Sequence, residues 1–510
     1  MAGPEAGSGD RPMRSRPHDE ARWAVSPGLF FSAIGVTFVL VAAGCTVPEP
    51  LPISVEKPKG PLTLETAVDL AFKNNPDLNA AQQRVDEASA AITNAAYDLG
   101  PVIQFVESFT AVDKPSQAFG YLLDQRRFNA VMGAGGIQDP GITSDWRTGF
   151  GGSITIYDGG RRLARLRGRI AEAGSVVARA EQVRRDLALQ VARAFYGIHK
   201  ARETAAAQEK SIDTLTTHLR ITEARQSEGA ARRSDVLAVR VRLAETREAA
   251  IVARNSAERA LAGLRILLGL DIDDYLELAP ATGLEPYPRE NLASLLEKAR
   301  RYRFEILEAD ARVEAARMRV HEALAGYQPE ITLFGTFGFD DEDPFSFKYG
   351  NWTWGAAFLW SLMDILRTPA RVREAAAGLA TENALRRKVM LEVQLDVKNS
   401  LLDGEEADAR HDVAAQAVAL AEESLRLVEA EYKEGAATIT RLLEAELALT
   451  QARTRLSATT YDRALSRIAI SHAVGEYPTP PAQIPVKLED GIFPPGGPSP
   501  DGTGQPGTAS

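Results

Sequence analysis

The chain has 510 residues, with 59 Lys and Arg against 69 Asp and Glu, a formal net charge of −10 and a pI near 5.4. That balance disfavours a nucleic-acid partner, whose phosphates need a basic face. A mean hydropathy of −0.19 excludes a bundle of membrane helices, and a single cysteine, Cys45, excludes a disulfide framework or a cysteine-based zinc site.

Arg11, Arg14, Arg16 and Arg22 precede an apolar run over 29–43, and Ala42, Ala43 and Gly44 lead into Cys45. The run is too short to span a bilayer comfortably but suits the apolar region of a signal peptide. It resembles a bacterial lipoprotein signal, in which the cysteine becomes the lipidated first residue; Ala42 stands three before it, where leucine is usual. Residues 1–44 are therefore expected to be a signal peptide, with Met13 a candidate true start, and proline-rich 45–61 a lipid-anchored linker.

A first helical segment spans about 62–99, broken at Asn74-Asn75-Pro76. Strands follow at about 102–110 and 148–157, joined by a long Gly-rich and polar connection, Ala111 to Asp145. Asp158-Gly159-Gly160 turns the chain into helices expected over 159–268, interrupted at Gly229. After a linker over 276–291 the plan repeats over 292–476, with strands at about 331–339 and 352–360 and a second interruption at Gly435. Residues 477–510, rich in Pro, Gly, Ser and Thr, read as a disordered tail.

The repeat is explicit. Glu223, Glu228, Gly229 and Leu237 match Glu429, Glu434, Gly435 and Leu443 at an offset of 206; Asp77, Ala81, Val85 and Pro101 match Glu305, Ala309, Val313 and Pro329 at 228. The difference lies in the longer first strand connection. From Asp158 to Gly229 and from Asp364 to Gly435 is the same distance, 71 residues, or on the order of 100 Å of helix. Each half is expected to be a rod, one long helix beside two shorter ones, with a strand hairpin at one end and a helical turn at the other. Apolar residues at heptad-like spacing, such as Leu187 and Val191 or Leu395 and Val397, need sideways partners. Four strands cannot close a barrel, so the chain is expected to oligomerise; three copies would supply twelve.

This layout, with Tyr157-Asp158-Gly159-Gly160-Arg161-Arg162 and the tip Tyr432-Lys433-Glu434-Gly435 before Leu442-Leu443, resembles the TolC-like outer-membrane efflux protein family over nearly all of 62–476. The second half has Met363-Asp364 without the paired glycines. The resemblance implies a mainly α fold with a transmembrane β-barrel: a homotrimer with a twelve-stranded barrel in the outer membrane of a Gram-negative bacterium and a periplasmic helical barrel. It implies a passive exit duct, serving efflux or type I secretion, that meets a periplasmic adaptor and an inner-membrane pump. Trp352, Trp354, Ala356, Phe358 and Trp360 share one strand face and suit a lipid-facing surface. The alternative is a lipid-anchored periplasmic coiled-coil scaffold without a pore.

No catalytic constellation is visible, and no cofactor or metal is expected beyond lipid at Cys45. His18, His199, His218, His321, His411 and His472 are scattered, and Gly149 to Gly152 lies within a strand rather than in a phosphate loop. By the resemblance, Gly229 and Gly435 are adaptor-docking tips, and Tyr432 with Asp235 forms a periplasmic latch. A gate arginine would fall at Ala437 and is absent; Arg441 and Glu444 form a mixed ring at the aperture, less cation-selective than two carboxylates. The alternative for Arg441 and Glu444 is an ordinary helix pair.

Overall fold

In a computed structural model the structure describes residues 55–58, 60–127, 141–285, 287–288 and 290–478. Cys45, the signal segment and nearly all of the tail lie outside these residues. The elements are α1 (Leu64–Asn74), α2 (Pro76–Tyr97), β1 (Val102–Val112), α3 (Pro115–Asp124), β2 (Thr143–Tyr157), α4 (Arg161–Ser227) and α5 (Arg233–Leu267). The second repeat gives α6 (Leu292–Tyr302), α7 (Phe304–Leu324), β3 (Glu330–Asp341), β4 (Gly350–Leu359), α8 (Leu362–Lys433) and α9 (Ile439–Ala473).

Local chemistry sets these boundaries. Asn75 is held in extended backbone by Pro76 after it, which stops α1, and its side-chain oxygen accepts the amides of Asp77 and Leu78, which starts α2. At the end of β2, Asp158 Oδ1 accepts the Gly160 amide and Oδ2 accepts both the amide and Nε of Arg162. Gly159 and Gly160 there have φ of 71° and 81°, and a Cβ at Gly159 would lie 2.5 Å from the side chain of Gln328. The second repeat makes the same turn without glycines: Ser361 precedes α8, and the Trp360 indole donates to the Tyr327 carbonyl. At 67 and 72 residues, α4 and α8 each extend on the order of 100 Å.

The four strands form one antiparallel sheet in the order β1-β2-β3-β4, so the two repeats join at β2 and β3. The Ala111–Asp145 connection is shorter than expected from sequence. Both strands run on into it, pairing to Val112 and Thr143, and α3 forms within it. Helix α3 starts on a proline, and its Ala118 and Leu122, four apart, are buried. Gln125 just after it is fully buried and donates to Ser144 O and Asp145 Oδ1.

Two rows of helices hang from the sheet. Near the strands the neighbours run α2, α4, α7, α8; towards the far end they run α5, α4, α9, α8. A core between these levels gathers Phe195, Ile198, Leu264 and Leu268 with Leu62, Val68 and Tyr461. Residues 55–58, 60 and 61, expected only as linker, belong to this level together with Leu62. The Glu56 amide bonds Asn74, Lys57 pairs with Asp274 at 2.6 Å, and Leu62 forms a parallel bridge with Leu278 of the inter-repeat segment. Among the described residues no helix is long and apolar enough to cross a membrane.

Candidate functional site: the duct wall and the helical tips

The sheet has two chemically distinct faces. In register across all four strands stand Phe105, Phe150, Phe337 and Trp352, and one step along stand Ile103, Gly152, Gly335 and Trp354. These apolar side chains are open to the surroundings, Trp354 being 74% exposed. The alternate positions carry Gln104, Ser153, Thr155, Thr332, Thr336 and Thr353. A sheet that is aromatic on one side and hydroxylic on the other suits lipid outside and water inside. Gly149 sits on the hydroxylic side, where a Cβ would lie 2.5 Å from the Phe337 carbonyl, so its glycine serves close strand packing as expected.

The sheet ends in two unpaired edges, β1 and β4. The helices repeat that asymmetry: α8 flanks one side of both rows, while α2 and α5 flank the other. Many of the exposed large apolar residues of the helices lie on these flanks. On α8 they include Leu391, Leu395, Leu402, Val413, Leu420 and Leu427, with Leu395 at 60%; on α5, Leu237, Val241, Ile251 and Val252. Steps of 4, 7, 11, 7 and 7 along α8 place its set on one stripe.

At the far end the long helices finish in matching caps. Gly229 has φ 76° and Gly435 φ 79°; their amides bond Gln226 O and Tyr432 O, and the next residues, Ala230 and Ala436, bond Arg225 O and Glu431 O. This is the Schellman arrangement, whose left-handed position glycine occupies without strain. A Cβ at either tip glycine would meet nothing within 4 Å. An apolar cluster joins the two hairpins behind the tips: Leu215, Val239 and Leu243 from one, Leu425, Val428, Leu442 and Leu443 from the other.

Tyr432 and Asp235 both lie at this end, but they are not bonded to each other within the chain. Asp235 Oδ2 accepts the Arg232 amide, capping α5, and Oδ1 accepts the Ser234 hydroxyl. Tyr432 packs against the apolar cluster, with the Arg225 guanidinium 4.9 Å from its ring centroid. Arg441 reaches back across the turn to Glu431 at 3.2 Å instead of forming a helix pair with Glu444.

Between the two rows the returning helices α5 and α9 end in the same cap again, at Gly269 (φ 67°) and Gly475 (φ 82°). Here the surroundings are closed. A Cβ would lie 2.5 Å from Asn74 O at Gly269 and 2.7 Å from Tyr302 O at Gly475. Each joint is tied by the residue after the carbonyl it presses on: Asn75 donates to Leu267 O, and Arg303 donates to Ala473 O while pairing with Glu305 and Asp396. Beside them burial pushes His199 below the ordinary histidine range, helped by Arg202 and opposed by Glu203; its ring stacks on Tyr461.

A family-wide sequence profile described as outer membrane efflux protein matches residues 67–270 and 295–476, both repeats in turn. The chain belongs to that family. Its members' architecture accounts for the two-faced sheet, and the protein is an outer-membrane channel for efflux or secretion. Protein CyaE of Bordetella pertussis is 26% identical over 424 residues, covering 81% of this chain and 85% of CyaE. A membrane protein from Pseudomonas aeruginosa shares the fold with a TM-score of 0.70 at 18% identity, over 84% of this chain and all of the other. The outer membrane protein VceC from Vibrio cholerae gives 0.69 at 18% identity, over 81% and 96%.

Some residues that stand out in the structure were not singled out in the sequence. Arg225 and Glu431 occupy the same repeat position, 206 apart, with opposite charge. That reversal of charge, between the matched pairs Glu223/Glu429 and Glu228/Glu434, is the signal that could have found them. Gln125 and Asp145, buried under α3, carried no comparable mark.

Proposed function

We propose that three copies of this chain close edge to edge into a passive exit duct, twelve strands in the outer membrane continuing into a periplasmic helical barrel. The observation that carries this is the pairing of free edges. One side of the chain offers β4 and the apolar stripe of α8, the other offers β1, α2 and α5. These surfaces differ, so contact is head to tail, and head-to-tail contact ends only when a ring closes. Lipid tolerates no unpaired strand edge, which makes closure obligatory there. Trimers fit because twelve strands satisfy barrel closure where four cannot.

In this reading the tips at Gly229 and Gly435 face a periplasmic adaptor that links the duct to an inner-membrane pump, and Tyr432, Asp235, Arg441 and Glu444 surround the aperture. Cys45 carries lipid. Transport is passive, with direction supplied by the pump.

The test is reconstitution. Detergent-extracted protein should run as a trimer that collapses on heating and should produce stepwise conductance in planar bilayers. A monomer that stays in solution without detergent once Cys45 is replaced by serine, and that conducts nothing, would instead support a scaffold without a pore.

A further inference from the structure

The two long helices α4 and α8 end in one place in the same cap, and each presents its last carbonyls and the negative end of its dipole. A cation lying between two such ends is favoured by both. Arg225, in the last turn of α4, sends its guanidinium across to the end of α8. There it faces the Tyr432 ring at 4.9 Å, and Nη1 donates to the Tyr432 carbonyl at 3.4 Å. That carbonyl already accepts the Gly435 amide, so the guanidinium takes its second lone pair.

We infer that Arg225 is the clasp that holds the two hairpin tips of one chain together, and with them the closed aperture; the inference rests on the duct reading above. Nearby carboxylates do not draw Arg225 away. Glu223 is taken by Arg240 at 2.7 Å and Glu431 by Arg441 at 3.2 Å, and Arg225 forms no ion pair among the described residues. Its attachment is to a π-face and a helix-end carbonyl, both weak enough to release when a docked partner moves one hairpin. The Tyr432 hydroxyl takes no part. The clasp asks for an aromatic ring at 432, not for a phenol, which separates it from a latch made by the hydroxyl and Asp235. Arg225 is thus a positioning residue that sets the aperture through the α8 tip.

Four variants in planar bilayers test this: Arg225→Ala, Arg225→Lys, Tyr432→Phe and Tyr432→Leu, each first checked for the heat-modifiable trimer. Arg225→Ala and Tyr432→Leu should each raise the open fraction about tenfold, a size within the range of a lost cation–π contact. Arg225→Lys should fall between, since an ammonium keeps the charge but not the planar stacking. Tyr432→Phe keeps the ring and should open far less than Tyr432→Leu. The clasp is overturned if Arg225→Ala gates like the native protein, or if Tyr432→Phe opens as far as Tyr432→Leu. Failure of the duct reading looks different: the native trimer itself would not conduct.

Discussion

Four glycines in this protein adopt the same left-handed cap and do opposite jobs. Gly229 and Gly435 turn the chain at the tips, where a side chain would meet open space; Gly269 and Gly475 turn it between the helix rows, where a side chain would run into backbone. Identical hydrogen bonds surround all four. The local motif fixes only the turn, and whether the turn is a rigid joint or a free end depends on what packs against it. The joints lock α1 and α6 to the returning helices. The tips stay open, and in the reading proposed above they are left to a partner and to a clasp that can release.

The contrast is broken most severely at the joints. Gly269→Ala or Gly475→Ala adds left-handed strain of about 1–2 kcal/mol and a steric conflict of about 1–3 kcal/mol. Each should lower the temperature at which trimers dissociate on a gel by many degrees. A shift no larger than that of a tip variant would mean the joint is not closed. Next comes the cross-tie. Arg303→Met leaves Glu305, Asp396 and the Ala473 carbonyl without their partner and should cost about 2 kcal/mol, whereas Asn75→Ala should cost about 1 kcal/mol, both read as unfolding midpoints in denaturant.

At the tips, Gly229→Ala and Gly435→Ala should cost only the backbone term, about 1 kcal/mol each, and leave trimer melting nearly unchanged. The smallest effect is on pH dependence. Since burial lowers the folded pKa of His199, the unfolded chain binds the extra proton as pH falls. Stability is complete above the ordinary histidine value of about 6.5 and declines below it. Arg202 and Glu203 flank the ring, and Tyr461 stacks on it. His199→Phe should flatten the acid side of a melting-temperature profile between about pH 6.5 and 5; an unchanged slope would assign that side to other groups.

The sequence announced the tips as a pair because glycine and proline mark turns wherever they stand. Gly229, Gly435 and the Asn75-Pro76 break could all be read without neighbours, and so could the aromatic alternation from Trp352 to Trp360. The long helices run over Arg161–Ser227 and Leu362–Lys433, each stopping just before its glycine. Two things could not be read. Helix α3 is a single short amphipathic turn pair inside a glycine-rich connection, too brief for periodicity to outweigh composition. The Arg225–Tyr432 contact joins residues 207 apart, and no local pattern encodes such a meeting. The joints' closed surroundings are equally non-local: Asn74 meets Gly269, and Tyr302 meets Gly475, each pair within one repeat but far apart along the chain.

A duct forms only if the free edges of one chain find the opposite edges of the next. Native mass spectrometry of the protein released from detergent micelles tests that most directly. The account predicts one species of three chains, stable until heated. A single chain, a two-fold dimer, or a ladder of ever larger assemblies would contradict it.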